Sequence, residues 1–201
     1  MDALPLLEKL KAIASWGLHF GKDPEDLARY QQVLQLTEQY YGLALGLPPE
    51  EVHQQSRTHI KQFFSAPFVG AEAAMFDSSG NILLMKRTDN SKWCIPGGIV
   101  NVGETPEQGA ICEAWEETGL HVQVLELVGL YTMTYSDIAQ STYTVVGFTY
   151  LCEVIGGTLQ RSHKDLGLQY WNLEEVPVWH SDMEQKARDA QVKYKALMAK
   201  V

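Results

Sequence analysis

The sequence predicts an α+β fold preceded by a small helical N-terminal domain, and three observations predict it. Apolar residues recur at helical spacing through about the first sixty residues; the pattern turns to strands after Pro67; and two strand-rich blocks flank one well-specified helix that begins at Pro106. The 201 residues suffice for two small domains, read as 1–64 and 65–201. Apolar residues at 45% and charged residues at 20% are the values of folded domains, which excludes long disorder and fibrous repeats.

Leu6, Leu10 and Ile13 set the first helix. Asp23-Pro24-Glu25-Asp26 announces the second, because Asp23 can cap it, Pro24 suits its first turn, and two acids sit at the positive end of the dipole. Leu27, Tyr30, Leu34, Thr37 and Tyr41 then keep one face mostly apolar as far as Gly42 and the Leu47-Pro48-Pro49 break, and a short third helix is expected from Glu50. Phe68 to Phe76, the turn Asp77-Ser78-Ser79-Gly80, and Asn81 to Lys86 read as a hairpin. A Gly/Pro-rich loop follows from Trp93 to Gly103, then a helix over Pro106 to Thr118 stopped by Gly119. Strands are expected at about 121–134, 141–154 and 168–173, and a last helix from Ser181.

Acidic residues exceed basic ones by 25 to 16, a net charge of −9, which argues against a general nucleic-acid-binding surface but leaves room for a small phosphorylated ligand where a cation reverses the local field. The first residues, with charges inside their apolar stretch, make a poor signal peptide, and no stretch is long enough to span a bilayer. Cys94, Cys112 and Cys152 are odd in number and form no CxxC pair, so reduced thiols in a cytoplasmic protein are expected.

The chemistry concentrates in Gly97-Gly98 through Glu104 and the helix behind it. Thr105 and Gln108 form a capping box with Pro106 at the first helical position. At 100° per residue Glu113, Glu116 and Glu117 fall within about a third of the helix circumference. Between Trp93 and Arg161 there is no Lys or Arg, while eight acids fall in that span. The alternative is a solvated acidic face; a bound cation supplies the missing charge in the other reading, and all-oxygen ligands favour Mg²⁺ or Mn²⁺ over zinc. Cys112 has anionic neighbours that disfavour a thiolate, so it is not read as a nucleophile. Trp93, Tyr131 and Tyr135 can stack on a base or fill the core. Lys86 and Arg87 end a strand leading toward the glycine loop, where either can contact phosphate or simply face solvent.

The whole pattern decides between these. Gly98, Glu104, Glu113, Glu116, Glu117, Gly119 and Leu120 stand at the spacing of the Nudix box, G-x5-E-x7-R-E-U-x-E-E-x-G-U, and Trp93-Cys94-Ile95-Pro96-Gly97-Gly98 is similar to the family's W-x-x-P-G-G lead-in. Ala12 to Gly42, with Gly17-Leu18, Asp23, Leu27, Arg29-Tyr30 and Leu34, resembles the helical N-terminal domain of the Nudix subfamily that hydrolyses nucleoside diphosphates linked to another moiety, the CDP-choline and ADP-ribose pyrophosphatase types among them. Cys152-Glu153-Val154-Ile155-Gly156-Gly157 also resembles that group.

The resemblance implies an α/β/α sandwich with a mixed sheet, a homodimer in which the N-terminal helices cover the neighbouring subunit or its site, and cleavage of a pyrophosphate bond by water. It implies metal ligation by Glu113 and Glu117, with Glu116 as a further ligand or base and the Gly97 carbonyl completing the shell; catalysis then falls to Glu116 and Glu117. Substrate contacts are assigned to Arg87, Lys86, Tyr131 and Tyr135, and structural roles to Gly98, Glu104, Cys112 and Gly119. Two departures stand out: the box arginine is Cys112, and a bulky position is Ala114. A further glutamate that many relatives carry before the last strand has no clear counterpart, Asp165 being a candidate. Two rivals stay open: a Nudix-fold binding or regulatory module that has lost turnover, and a nucleoside triphosphate sanitising hydrolase.

Overall fold

A computed structural model describes residues 4–46, 48, 67–136, 142–161 and 165–199. The expected helix from Glu50 lies outside the described residues. Two compact units are present, one of residues up to 66 with Asn101–Gly103, the other of 67–100 with 104–201.

In the first unit α1 (Leu4–Phe20) packs on α2 (Pro24–Leu45). The start of α2 follows its sequence signal: Asp23 accepts from the backbone N–H groups of Glu25 and Asp26 at 2.8 and 3.2 Å, and Gly46 closes the helix in the left-handed region. Leu34 and Thr37 are buried as their spacing predicts. On α1, however, Leu7, Ala14 and Ser15 are buried, whereas Leu6 and Ile13 are about 60% exposed.

The second unit contains β1 (Phe68–Met75), β2 (Ile82–Arg87), β3 (Trp93–Cys94), β4 (Gly97–Ile99), α3 (Pro106–Thr118), β5 (Leu120–Ser136), β6 (Thr142–Gly157), β7 (Asp165–Trp171), a 3-10 turn (Leu173–Glu175) and α4 (Met183–Met198). The larger sheet, ordered β4-β1-β6-β5, is mixed: β1 runs parallel to β6 and antiparallel to β4. A second, antiparallel sheet is ordered β3-β2-β7.

Three expectations need correction. The predicted hairpin splits, because β1 and β2 enter different sheets, and among the described residues backbone pairing across the turn is confined to the Phe76–Ile82 bridge. Both edges of β1 are already taken by β4 and β6. The glycine loop contains two short strands, and the last helix begins at Met183 rather than Ser181, which itself sits at φ 49°.

Side chains of β1 alternate between two cores. Ala71, Ala73 and Met75 pack with Ala110 and Ala114 of α3; Ala74 packs with Ala187 and Ala190 of α4. In β2, Leu83 joins the first core and Ile82 and Leu84 the second, so the strands lie between two helices as a sandwich. Small residues on both faces of β1 let the helices approach closely. That places α3 beside β1 and β4, where the site lies.

Candidate active site

Local sequence fixes α3 at both ends. Gln108 N–H donates to Thr105 Oγ1 at 3.2 Å and Thr105 N–H to Gln108 Oε1 at 2.9 Å, while Gly119 at φ 72° ends the helix with its N–H on the Trp115 carbonyl. The buried face of α3 carries Gly109, Ala110, Ala114 and Thr118, and among these apolar and small residues lies Glu117, 3% exposed. A buried carboxylate needs partners. Gly97 N–H donates to Glu117 Oε2 at 2.9 Å.

Glu113, one turn earlier, reaches the next residue of the same strand. A Cβ placed on Gly98 would fall 2.2 Å from Glu113 Oε1, and one on Gly97 would fall 2.4 Å from the Ala71 carbonyl oxygen. Close approach to backbone therefore demands glycine at 97, while a side chain at 98 would push aside the end of the Glu113 side chain. Glu116 stands at the outer edge of the acidic arc and is exposed; Cys112 Sγ donates to Glu116 Oε1 at 3.4 Å. The structure thus brings Glu113 and Glu117 onto the glycine turn and leaves Glu116 facing solvent beside them. Glu104 precedes the cap, near enough for its charge to act on Cys112. Burial first, then the hydrogen bond and charge of Glu116, push the Cys112 thiol up to about 11, in keeping with its reading as a non-nucleophile.

Among the described residues, no three His, Cys, Asp or Glu side chains converge into a ready-made metal cage. The donor set nevertheless fits a hard divalent cation such as Mg²⁺, which usually takes one or two carboxylates and fills its remaining positions with waters and substrate phosphates. The glycine cradle supports this, since it leaves the Glu113 carboxylate room that any other residue at 98 would occupy.

The remaining sequence candidates are dispersed. Arg87 ends β2 and makes two hydrogen bonds to Asp89, at 2.9 and 2.8 Å; Lys86 lies across the ladder from Trp93. Tyr131 is on the α4 face of the larger sheet, its hydroxyl donating to Asp189 at 2.8 Å, and so stands away from the α3 glutamates. The side chains of Tyr135 and Asp165 lie outside the described residues.

Sequence reading missed a group behind the glycine turn. Glu72 of β1 and Lys186 of α4 form a buried ion pair at 2.6 Å, and the Thr149 hydroxyl donates to the same carboxylate. Removing one member of such a pair typically costs about 3–5 kcal/mol. The signals were present: Glu72 is one charge in the apolar run FVGAEAAM, and Lys186 falls on the stripe of Met183, Ala187 and Ala190. Burial pushes the Cys94 thiol up to about 12, with Arg87 opposing the shift and Glu117 and Glu72 adding to it.

Residues 66–195 match the NUDIX domain model, almost two thirds of the chain. The chain belongs to the Nudix hydrolase family. Residues 1–55 match a second Nudix-associated model, described as a UDP-X-like, N-terminal oligomerisation domain. The Nudix region is 33% identical over 108 residues to a MutT-like protein of Streptomyces ambofaciens, covering 54% of this chain and 66% of that one. It is 32% identical over 118 residues to an ADP-ribose pyrophosphatase of Methanocaldococcus jannaschii, covering 57% and 68%. The chain thus spans about two thirds of the length of these curated relatives. A crystal structure of a UDP-X diphosphatase shares the fold over 98% of this chain and 95% of its own, with a TM-score of 0.58 and 24% identity.

Nudix hydrolases generally use divalent metals, and the box glutamates of this chain occupy the carboxylate positions described above. The box arginine is Cys112 here, and its thiol makes one bond to Glu116 where a guanidinium could make two.

Proposed function

We propose that this Nudix protein hydrolyses the pyrophosphate bond of a nucleoside diphosphate linked to another moiety, giving a nucleoside monophosphate and a phosphorylated product. The observation that carries the reading is the glycine turn clasped by two α3 carboxylates, Glu117 bonded to Gly97 N–H and Glu113 packed on Gly98. Glu113, Glu117 and the Gly97 carbonyl would hold Mg²⁺ or Mn²⁺, with Glu116 as a further ligand or the base. Such a cation neutralises phosphate oxygens and lowers the pKa of the attacking water. Gly97 fixes Glu117, Gly98 leaves space for Glu113, and Glu116, exposed, accepts from the Cys112 thiol beside them. Arg87 is proposed to exchange Asp89 for substrate phosphate, with Lys86 and Tyr135 as further contacts; Tyr131, bonded to Asp189 on the α4 face, is not assigned to the substrate.

The substrate class is supported by the N-terminal match to a UDP-X-like domain and by the ADP-ribose pyrophosphatase relative. A screen of nucleoside diphosphate derivatives with Mg²⁺ and Mn²⁺ tests it, the expected products being a nucleoside monophosphate and a phosphorylated second product. Release of inorganic pyrophosphate from triphosphates would assign a sanitising hydrolase instead; saturable binding without turnover would assign a binding module.

A homodimer through the N-terminal helices is part of the same reading. Leu6, Ile13 and Phe20 repeat every seven residues on α1 and are 61%, 60% and 40% exposed; Leu36, Tyr40 and Leu43 form a second exposed row on α2. Light scattering that shows a monomer at micromolar concentration would refute it. A cytoplasmic location is proposed on the three free cysteines, and among the described residues no helix is long and apolar enough to cross a membrane.

A further inference from the structure

Behind the glycine turn, on the sheet face covered by α4, lies a polar network that the proposed hydrolysis does not use. Glu72 stands in register with Gly97 on one side and Thr149 on the other. Its Oε1 accepts from Lys186 Nζ at 2.6 Å and its Oε2 from the Thr149 hydroxyl. Lys186 Nζ also lies 5.3 Å from the centre of the Tyr131 ring. The Lys186 side chain is fully buried and that of Glu72 is 6% exposed. Gly147 leaves the space for them, because a Cβ there would fall 3.2 Å from Lys186 Nζ and 3.3 Å from Glu72 Oε1.

A buried ion pair is weak evidence for stability, since well-packed apolar residues of similar volume often serve a core as well or better. What the pair touches is more informative. A Cβ on Gly97 would fall 2.7 Å from both Cα and Cγ of Glu72, so the Glu72 stem is the floor on which Gly97 rests. Gly97 N–H in turn holds Glu117. The carboxylate of Glu72 is bonded at both oxygens, which fixes the stem.

We propose that Glu72 and Lys186 are positioning residues of the active site: their ion pair fixes the Glu72 stem, the stem fixes Gly97, and Gly97 fixes the Glu117 carboxylate. The catalytic consequence rests on the proposed hydrolytic function; the structural chain does not.

The test compares the full-length parent with E72M/K186M, which removes both charges together and leaves neither orphaned. Metal-free hydrogen exchange of the Gly97 amide is the first readout. Mn²⁺ affinity, counted from free Mn²⁺ by electron paramagnetic resonance, and kcat against KM are the others. The variant is expected to melt at the parent's temperature or above, with unchanged exchange in the β6 amides. Outer-shell partners of metal ligands typically carry about 10–100-fold in affinity or activity; Gly97 exchange should quicken, Mn²⁺ binding weaken and kcat fall by at least roughly tenfold each, with KM nearly constant. Thr149→Val, which removes only the second bond to Glu72, should move the same readouts less and decides the matter should the double variant not fold. A folded E72M/K186M, or failing that a Thr149→Val, whose Gly97 exchange matches the parent overturns the proposal. Lack of hydrolysis by the parent would instead defeat the proposed function, leaving the exchange comparison to judge the positioning role alone.

Discussion

Gly98→Ala adds one methyl group to the cradle that Glu113 occupies, and its effect can be worked from the structure. Gly98 is not among the glycines at positive φ, so the backbone admits alanine. The new Cβ would fall 2.2 Å from Glu113 Oε1, whereas ordinary contact begins at 3.4 Å, so the oxygen must retreat by the difference, about 1.2 Å. A misplacement of about 1 Å can cost roughly a hundredfold in rate. Stability should hardly change: the displaced atom ends a flexible side chain, and Gly→Ala at a compatible site contributes about 0.4–1 kcal/mol through the unfolded chain. The melting temperature should then move by no more than about 4 °C. The assay is a Mg²⁺ titration of hydrolysis on a nucleoside diphosphate derivative, paired with a thermal melt and Mn²⁺ affinity. A folded variant that keeps the parent's kcat and Mn²⁺ affinity would refute the claim that Glu113 must sit on Gly98.

Further outcomes follow from the same geometry. Glu117→Gln should retain the fold and lose turnover on the order of a hundredfold, because a neutral amide in place of one metal-holding carboxylate misplaces the cation against the substrate. In metal-free buffer its melt should rise slightly, because one like-charge term on α3, worth a few tenths of a kcal/mol, disappears; unchanged hydrolysis would sink the assignment. Cys112→Arg should lower the Mg²⁺ concentration for half-maximal activity by replacing a single thiol bond to Glu116 with a guanidinium. Overlaid titrations would show that the thiol already orders Glu116. Because the Cys112 thiol is raised to about 11, the protonated form is favoured, and its alkylation, followed by mass spectrometry, should stay slow at neutral pH and climb as pH rises through that value. A climb near the ordinary thiol value of about 8.5 would contradict the burial of the thiol first, and the hydrogen bond and charge of Glu116 with it.

The sequence by itself determined what depends on near neighbours in the chain. Helix α3 could be read to the residue because its cap, first proline and terminal glycine act within one turn. Glu113 and Glu117 could be placed on one side of it because helical geometry fixes that at three to four residues' separation. Only the tertiary structure decided which carboxylate is buried on Gly97 and which faces water, since that depends on β4 lying against α3. It also decided that β1 leaves its sequence neighbour β2 for β6, whose paired residues lie 77 positions away, because pairing obeys the burial of both faces rather than proximity in the chain. Glu72 and Lys186 are 114 positions apart, and no local rule links two charges that pair only once a strand and the last helix have packed together.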